Sequence, residues 1–63
     1  MSSWIEEFFY DSASETLTLN TNSGDTYDYS SVPSETASEM ANAVSKGAFH
    51  NAEIRGHYDC VKR

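Results

Sequence analysis

Cysteine is almost missing from this chain: Cys60 is the only one in 63 residues. A disulfide within the chain is thereby excluded, and the scarcity fits a reducing compartment. Long apolar runs are missing too. None approaches the roughly 18 residues of a membrane-crossing helix, and the opening MSSWIEEFFYD lacks the make-up of a signal peptide. The expectation is a cytoplasmic protein with no membrane partner. Lys and Arg are absent before residue 46: residues 1–45 carry eight acids and no base, a charge of −8. Residues 46–63 hold Lys46, Arg55, Lys62 and Arg63 against Glu53 and Asp59, a charge of +2, which leaves the chain at −6. Such a surface repels a long polyanion, because duplex binding needs many phosphate contacts. A small anion needs only one or two cations in a local cleft, and the last third is where they lie.

A chain below about 70 residues is marginal as a free-standing core. With no disulfide to add, a partner copy is the simplest further source of stability, so a homo-oligomer is expected. One domain over residues 1–63 is all the length allows.

What is present alternates. Residues 3–10, SWIEEFFY, read as a strand with Trp4, Glu6, Phe8 and Tyr10 on one face and Ile5, Glu7 and Phe9 on the other. Neither face is cleanly polar, so this strand is expected to be central or half-covered by a partner. Residues 11–15, DSASE, are turn formers. Residues 16–21, TLTLNT, put Leu17 and Leu19 inward and Thr16, Thr18 and Asn20 outward. Asn22-Ser23-Gly24-Asp25 makes a tight turn in which Gly24 suits a positive φ. Residues 26–30, TYDYS, place Tyr27 and Tyr29 on one face.

Val32-Pro33 ends the sheet, and Pro33 suits the first turn of a helix. The stretch SETASEMANAVSK carries Ala37, Met40, Ala41 and Val44 at i, i+3, i+4 and i+7, a narrow apolar stripe. Gly47 is the expected left-handed stop. Beyond it, residues 48–54 suit a short helical turn with Phe49 and Ile54 inward, and residues 57–62 suit a fourth strand with Tyr58 and Cys60 on one face. The fold class predicted is α+β: a small three- to four-stranded antiparallel meander packed by one helix, in the order β-β-β-α-β.

The landmarks Tyr10-Asp11, Leu17, Gly24, Tyr27-x-Tyr29, Val32-Pro33, Ala43, Ser45-x-Gly47, Phe49-x-Asn51, Ile54-Arg55 and Tyr58 run in order through nearly the whole chain. Together they resemble the KTSC domain, a family found at the C-terminus of some lysyl-tRNA synthetases and as a stand-alone protein. Its hallmark Tyr-x-Tyr is Tyr27-Asp28-Tyr29 here. A binding module of this type, not an enzyme, is expected, because the 63 residues hold none of the usual catalytic constellations. In size, acidity and implied oligomerisation the chain is also similar to bacteriophage anti-CBASS sponges, which sequester the cyclic nucleotides of a bacterial immune signal. That likeness implies a cyclic dinucleotide ligand and, for a phage protein, the host cytoplasm.

The residue types suit such a ligand. Tyr10, Tyr27, Tyr29 and Tyr58 can stack on bases, Arg55 can clamp a phosphate, Lys46 can add charge and Asn51 can read a base edge. Tyr10, Tyr27, Tyr29, Lys46, Asn51 and Arg55 are the candidate ligand-binding set; alternating tyrosines that simply line a core are the competing reading. The alternative ligand is RNA or a host protein, and the acidic first two-thirds weighs against RNA. Other chemistry is poorly provided for. His50, His57 and Cys60 stand in a His-x6-His-x2-Cys spacing that matches no zinc pattern. His57 and Cys60, three apart, would point to opposite faces of a strand. Glu6 and Glu7 would also alternate, and the three glycines are isolated. No cofactor, metal or catalytic residue is predicted.

Overall fold

A computed structural model describes residues 4–63; Ser3, where the first strand was expected to start, lies outside the described residues. The elements are β1 (Ile5–Asp11), β2 (Thr16–Thr21), β3 (Thr26–Tyr29), α1 (Ser34–Asn42), α2 (Lys46–Phe49) continued by a π-helical turn (His50–Ile54), and β4 (Cys60–Lys62). The four strands form one antiparallel sheet in the order β1-β2-β3-β4. This is the α+β, β-β-β-α-β arrangement that the sequence predicts, with a second short helical segment added.

The alternation in β2 dictates which face is covered. Leu17 and Leu19 are wholly buried, and Thr21 continues that inner row. Across from them Tyr10 pairs with Leu17, Phe8 with Leu19 and Ile5 with Thr21, while Tyr29 and Tyr27 pair with Leu17 and Leu19 from the other side. Val32, Met40 and Ile54 close the core from the helical side, each fully buried. Complete burial of a side chain of this size contributes about 1.5–3 kcal/mol. Gly24 turns the β2–β3 hairpin at φ +92, with its N–H donating to Thr21 O at 3.0 Å.

Three expectations are corrected. The first concerns β1. It is an edge strand, not a central one, and its register shifts between Ile5 and Glu7. The extra residue is Glu6, a β-bulge that reverses the alternation. Ile5 therefore joins Phe8 and Tyr10 on the inner face, which becomes wholly apolar or aromatic, while Phe9 stays exposed on the outer face beside Glu7 and Asp11. The second concerns the helix. It ends at Asn42, because Ala43 is extended (φ −68, ψ 140). Ala37 and Met40 are buried, but Ala41 is exposed and Val44 is 106% exposed. The third concerns Gly47, which is no left-handed stop: it lies buried within α2. Ser45 starts that second segment, its Oγ accepting from Ala48 N at 3.3 Å, as helix N-cap serines do.

Candidate functional site

The chain reaches its most unusual local geometry just after α2. The Arg55 N–H donates to His50 O at 2.8 Å, a bond five residues long that defines a π-helical turn. Such turns are rare and recur at functional sites. Here the wide turn buries both His50 and Ile54 against the sheet and leaves Asn51 and Arg55 exposed at the rim. Arg55 then continues as extended chain (φ −62, ψ 124) toward β4.

His50 is the centre of this arrangement. Tyr29, on the inner face of β3, presents its hydroxyl to His50 Nε2. The two rings meet edge to face with centroids 5.3 Å apart, and Trp4 also meets the imidazole edge to face at 4.8 Å and 82°. Burial, above all, holds the His50 pKa below its ordinary value; the Arg55 charge acts in the same direction, while the contact with Asn51 opposes both. A neutral imidazole has one donor and one acceptor nitrogen. Nδ1 stands 3.4 Å from Asn51 Oδ1 and suits the donor role, so Nε2 accepts from the Tyr29 hydroxyl. Tyr29 keeps its proton: burial first, and then the Cys60 sulfur, push its pKa up. Cys60 is the β4 partner of Tyr29 and is itself exposed.

Of the six predicted residues, the structure gathers Tyr29, Asn51 and Arg55 around His50. It separates the other three. The Tyr10 hydroxyl donates to Val32 O at 2.6 Å and ties β1 to the start of the helical layer. Burial, followed by Glu15 and Asp11, raises its pKa. Tyr27 packs half-buried against the core, with Lys62 Nζ 5.9 Å from its ring centroid. Lys46 donates to Ala41 O and Ala43 O, both at 3.1 Å, and so closes the end of α1. Tyr58 is half-buried, its hydroxyl 3.4 Å from Thr36 Oγ1.

The four cations divide unequally. Lys46 is held by carbonyls, Lys62 pairs with Asp25 at 3.6 Å, and Arg63 forms a two-bond pair with Asp28 at 2.7 and 3.1 Å. Among the described residues, only the Arg55 guanidinium has neither an acceptor nor a carboxylate partner. The sequence reading missed two members of this patch, His50 and Trp4. The one local signal was that His50 stands four residues before the apolar Ile54, on a helical face that had to be covered.

Among the described residues no three His, Cys, Asp or Glu side chains are grouped as metal ligands, and no helix is long and apolar enough to cross a membrane.

A meander of four strands with a helix and a π-turn laid across one face is a defined class of small α+β domain. The KTSC domain model matches residues 1–58. The crystal structure of a KTSC domain protein from Yersinia pestis superposes with a TM-score of 0.90 at 34% identity, over 100% of this chain and 90% of that one. The chain belongs to the KTSC domain family. It is also 39% identical over 56 residues to a lysine–tRNA ligase of Trichormus variabilis, and 38% identical over 54 residues to that of Nostoc punctiforme. These matches take in 89% and 86% of this chain but 10% of each ligase, so the chain spans about a tenth of the length of these relatives. The resemblance to anti-CBASS sponges finds no support in these matches.

Proposed function

We propose that this KTSC domain is a non-enzymatic binding module that holds a small nucleotide at the rim of the Tyr29–His50 pair. One observation carries the reading: Arg55 is exposed and its guanidinium is unpartnered, while each of the other three cations is occupied. A planar guanidinium meets a phosphate through two parallel hydrogen bonds. Trp4, 37% exposed and in ring contact with His50, offers an indole for stacking, and Asn51 offers an amide for a base edge. A cyclic dinucleotide, with two bases and two phosphates, is the form such a patch would sequester, and two copies of the chain would present two patches to it. Phe9 and Val61, 56% and 62% exposed at the two ends of one outer row of the sheet, supply apolar surface for that pairing.

Calorimetry with a cyclic dinucleotide tests the reading. Charge-assisted bonds contribute about 1.5–3 kcal/mol, so Arg55→Ala should weaken binding roughly ten- to a hundredfold with unfolding unchanged. Equal affinity in a folded Arg55→Ala protein would overturn it. The identity with two lysine–tRNA ligases favours a second reading, in which RNA is the ligand. Retention of RNA in a gel shift at about 0.15 M salt, where charges are screened within roughly 8 Å, would put that reading first.

A further inference from the structure

A cleft opens beside the His50 patch, its two walls beginning at Ser30 and Gly56, the residues that follow Tyr29 and Arg55. The loop after β3 and the turn before β4 face each other across a cleft of about 280 Å³ lined by Ser30, Ser31, Gly56, His57, Tyr58 and Asp59. Both walls are fixed by backbone bonds. Ser30 N–H donates to Asp59 O at 3.0 Å, Val32 N–H to Glu15 O at 2.9 Å, and His57 N–H to Ile54 O at 3.0 Å. Ser31 adopts φ +59 and Gly56 φ +80. For a serine this left-handed conformation is unfavourable, and here it faces the cleft from a loop held at both ends.

The side chains of Ser30, Ser31, His57 and Asp59 have no hydrogen-bond or ion-pair partner among the described residues. The lining thus offers two hydroxyls and a carboxylate with free lone pairs beside the His57 imidazole, and no Lys or Arg. An anion placed there would meet Asp59. An ammonium group brings three N–H donors and no acceptor, and the two hydroxyl oxygens and the two oxygens of the Asp59 carboxylate can accept from it. The Tyr58 ring, half-buried and backed by Thr36, gives an alkyl stem an apolar wall. From this we propose that the cleft is a site for a primary alkylammonium group, with Asp59 as its counter-charge and Ser30 and Ser31 as its further acceptors. The ligand is a free amine or the side chain of a lysine in a partner peptide.

The test is a titration of the intact chain at pH 7.5 followed by backbone amide NMR, with butylamine and with N-acetyl-lysine methylamide as probes. Amide shifts should centre on Ser30, Ser31 and Gly56–Asp59. Asp59→Asn should raise the dissociation constant at least tenfold, whereas Glu39→Gln, which removes another exposed carboxylate, from α1, should leave it unchanged. Ser31→Gly relieves the left-handed serine and removes one acceptor, so it should weaken binding severalfold while holding or raising the melting temperature. The tighter of the two probes distinguishes a free amine from a peptide side chain. Butanol giving the same shifts, shifts spread over the acids of β1, or an unaltered dissociation constant in Asp59→Asn would each overturn the proposal.

Discussion

The meander of β1–β3 and the segment from Ala43 to the C-terminus are built on different principles. In the meander each strand pairs with its sequence neighbour, apolar residues alternate, and no Lys or Arg occurs. The C-terminal segment carries all four cations, a two-part helix with a π-turn, and a three-residue strand that is exposed throughout. It is joined to the meander by the β3–β4 ladder, by Ile54 in the core, by His50 on Tyr29, and by the pairs Lys62–Asp25 and Arg63–Asp28. The split of charge along the sequence is therefore partly an internal match between the two regions. Arg55 is the cation this match leaves over, and local pairing in the meander frees the other region to take up irregular geometry.

The comparison breaks most readily in the core. Leu17→Ala and Ile54→Ala each remove a side chain with no exposure, and each should cost about 2–5 kcal/mol. Both should lower the urea midpoint by similar amounts in a single transition. If Ile54→Ala left the midpoint near that of the unaltered chain, the C-terminal segment would be an appendage rather than half of the core.

Next in size is the polar joint. Tyr29→Phe keeps the ring but leaves His50 Nε2 buried without a donor, which should cost about 1–3 kcal/mol. The joint also gives stability a pH dependence of fixed sign. The folded protein holds the His50 pKa below the ordinary 6.5. As pH falls through that ordinary value, the unfolded chain takes up a proton that the folded chain refuses, so stability declines. The decline stops once His50 itself titrates in the fold. Melting temperatures measured from pH 7.5 down to 5 should fall in the natural chain, and His50→Gln should flatten that part of the curve.

The two regions also differ in how far they could be read from sequence. Leu17 and Leu19 announce an inner face, and Gly24 its turn, because a strand places alternate residues on opposite sides. The bulge at Glu6 leaves no such trace, since one inserted residue changes no composition; it was enough to put Ile5 on the wrong face. At the end of α1, Gly47 mimicked a stop signal, while Ser45 was already the cap of the next segment. The site was legible in part. Arg55 stood out for being one of few cations, but Tyr29 and His50 are 21 residues apart, and nothing in either neighbourhood foretells the pairing. A π-turn has no periodicity of its own by which to be recognised.

Turns offer a smaller, symmetrical test. Gly24 in the meander and Gly56 in the C-terminal segment both have positive φ, and beyond the adjoining residues of the chain no atom lies within 4 Å of where a Cβ would stand at either. The cost of Gly24→Ala or Gly56→Ala is thus backbone strain alone, about 1–2 kcal/mol. Thermal unfolding should show the two losses to be alike; a much smaller loss at Gly56 would mean that the turn before β4 relaxes where the hairpin cannot.

The smallest effect is expected at Val44, and it separates two accounts of where the first helix ends. With α1 running on to residue 46, Val44 would complete the stripe of Ala37, Met40 and Ala41 and lie against the sheet. A polar group placed there would be buried without a partner, at a cost of about 1–3 kcal/mol on top of the lost apolar burial. In the structure the chain leaves the helix at Ala43, whose N–H donates to Met40 O at 3.1 Å. Lys46 caps the freed carbonyls and Val44 stands wholly in solvent. Val44→Ser should then change stability by no more than about 0.5 kcal/mol, as exposed substitutions do. Urea unfolding of this one variant decides between the accounts, because a loss above about 1 kcal/mol is what burial of Val44 requires.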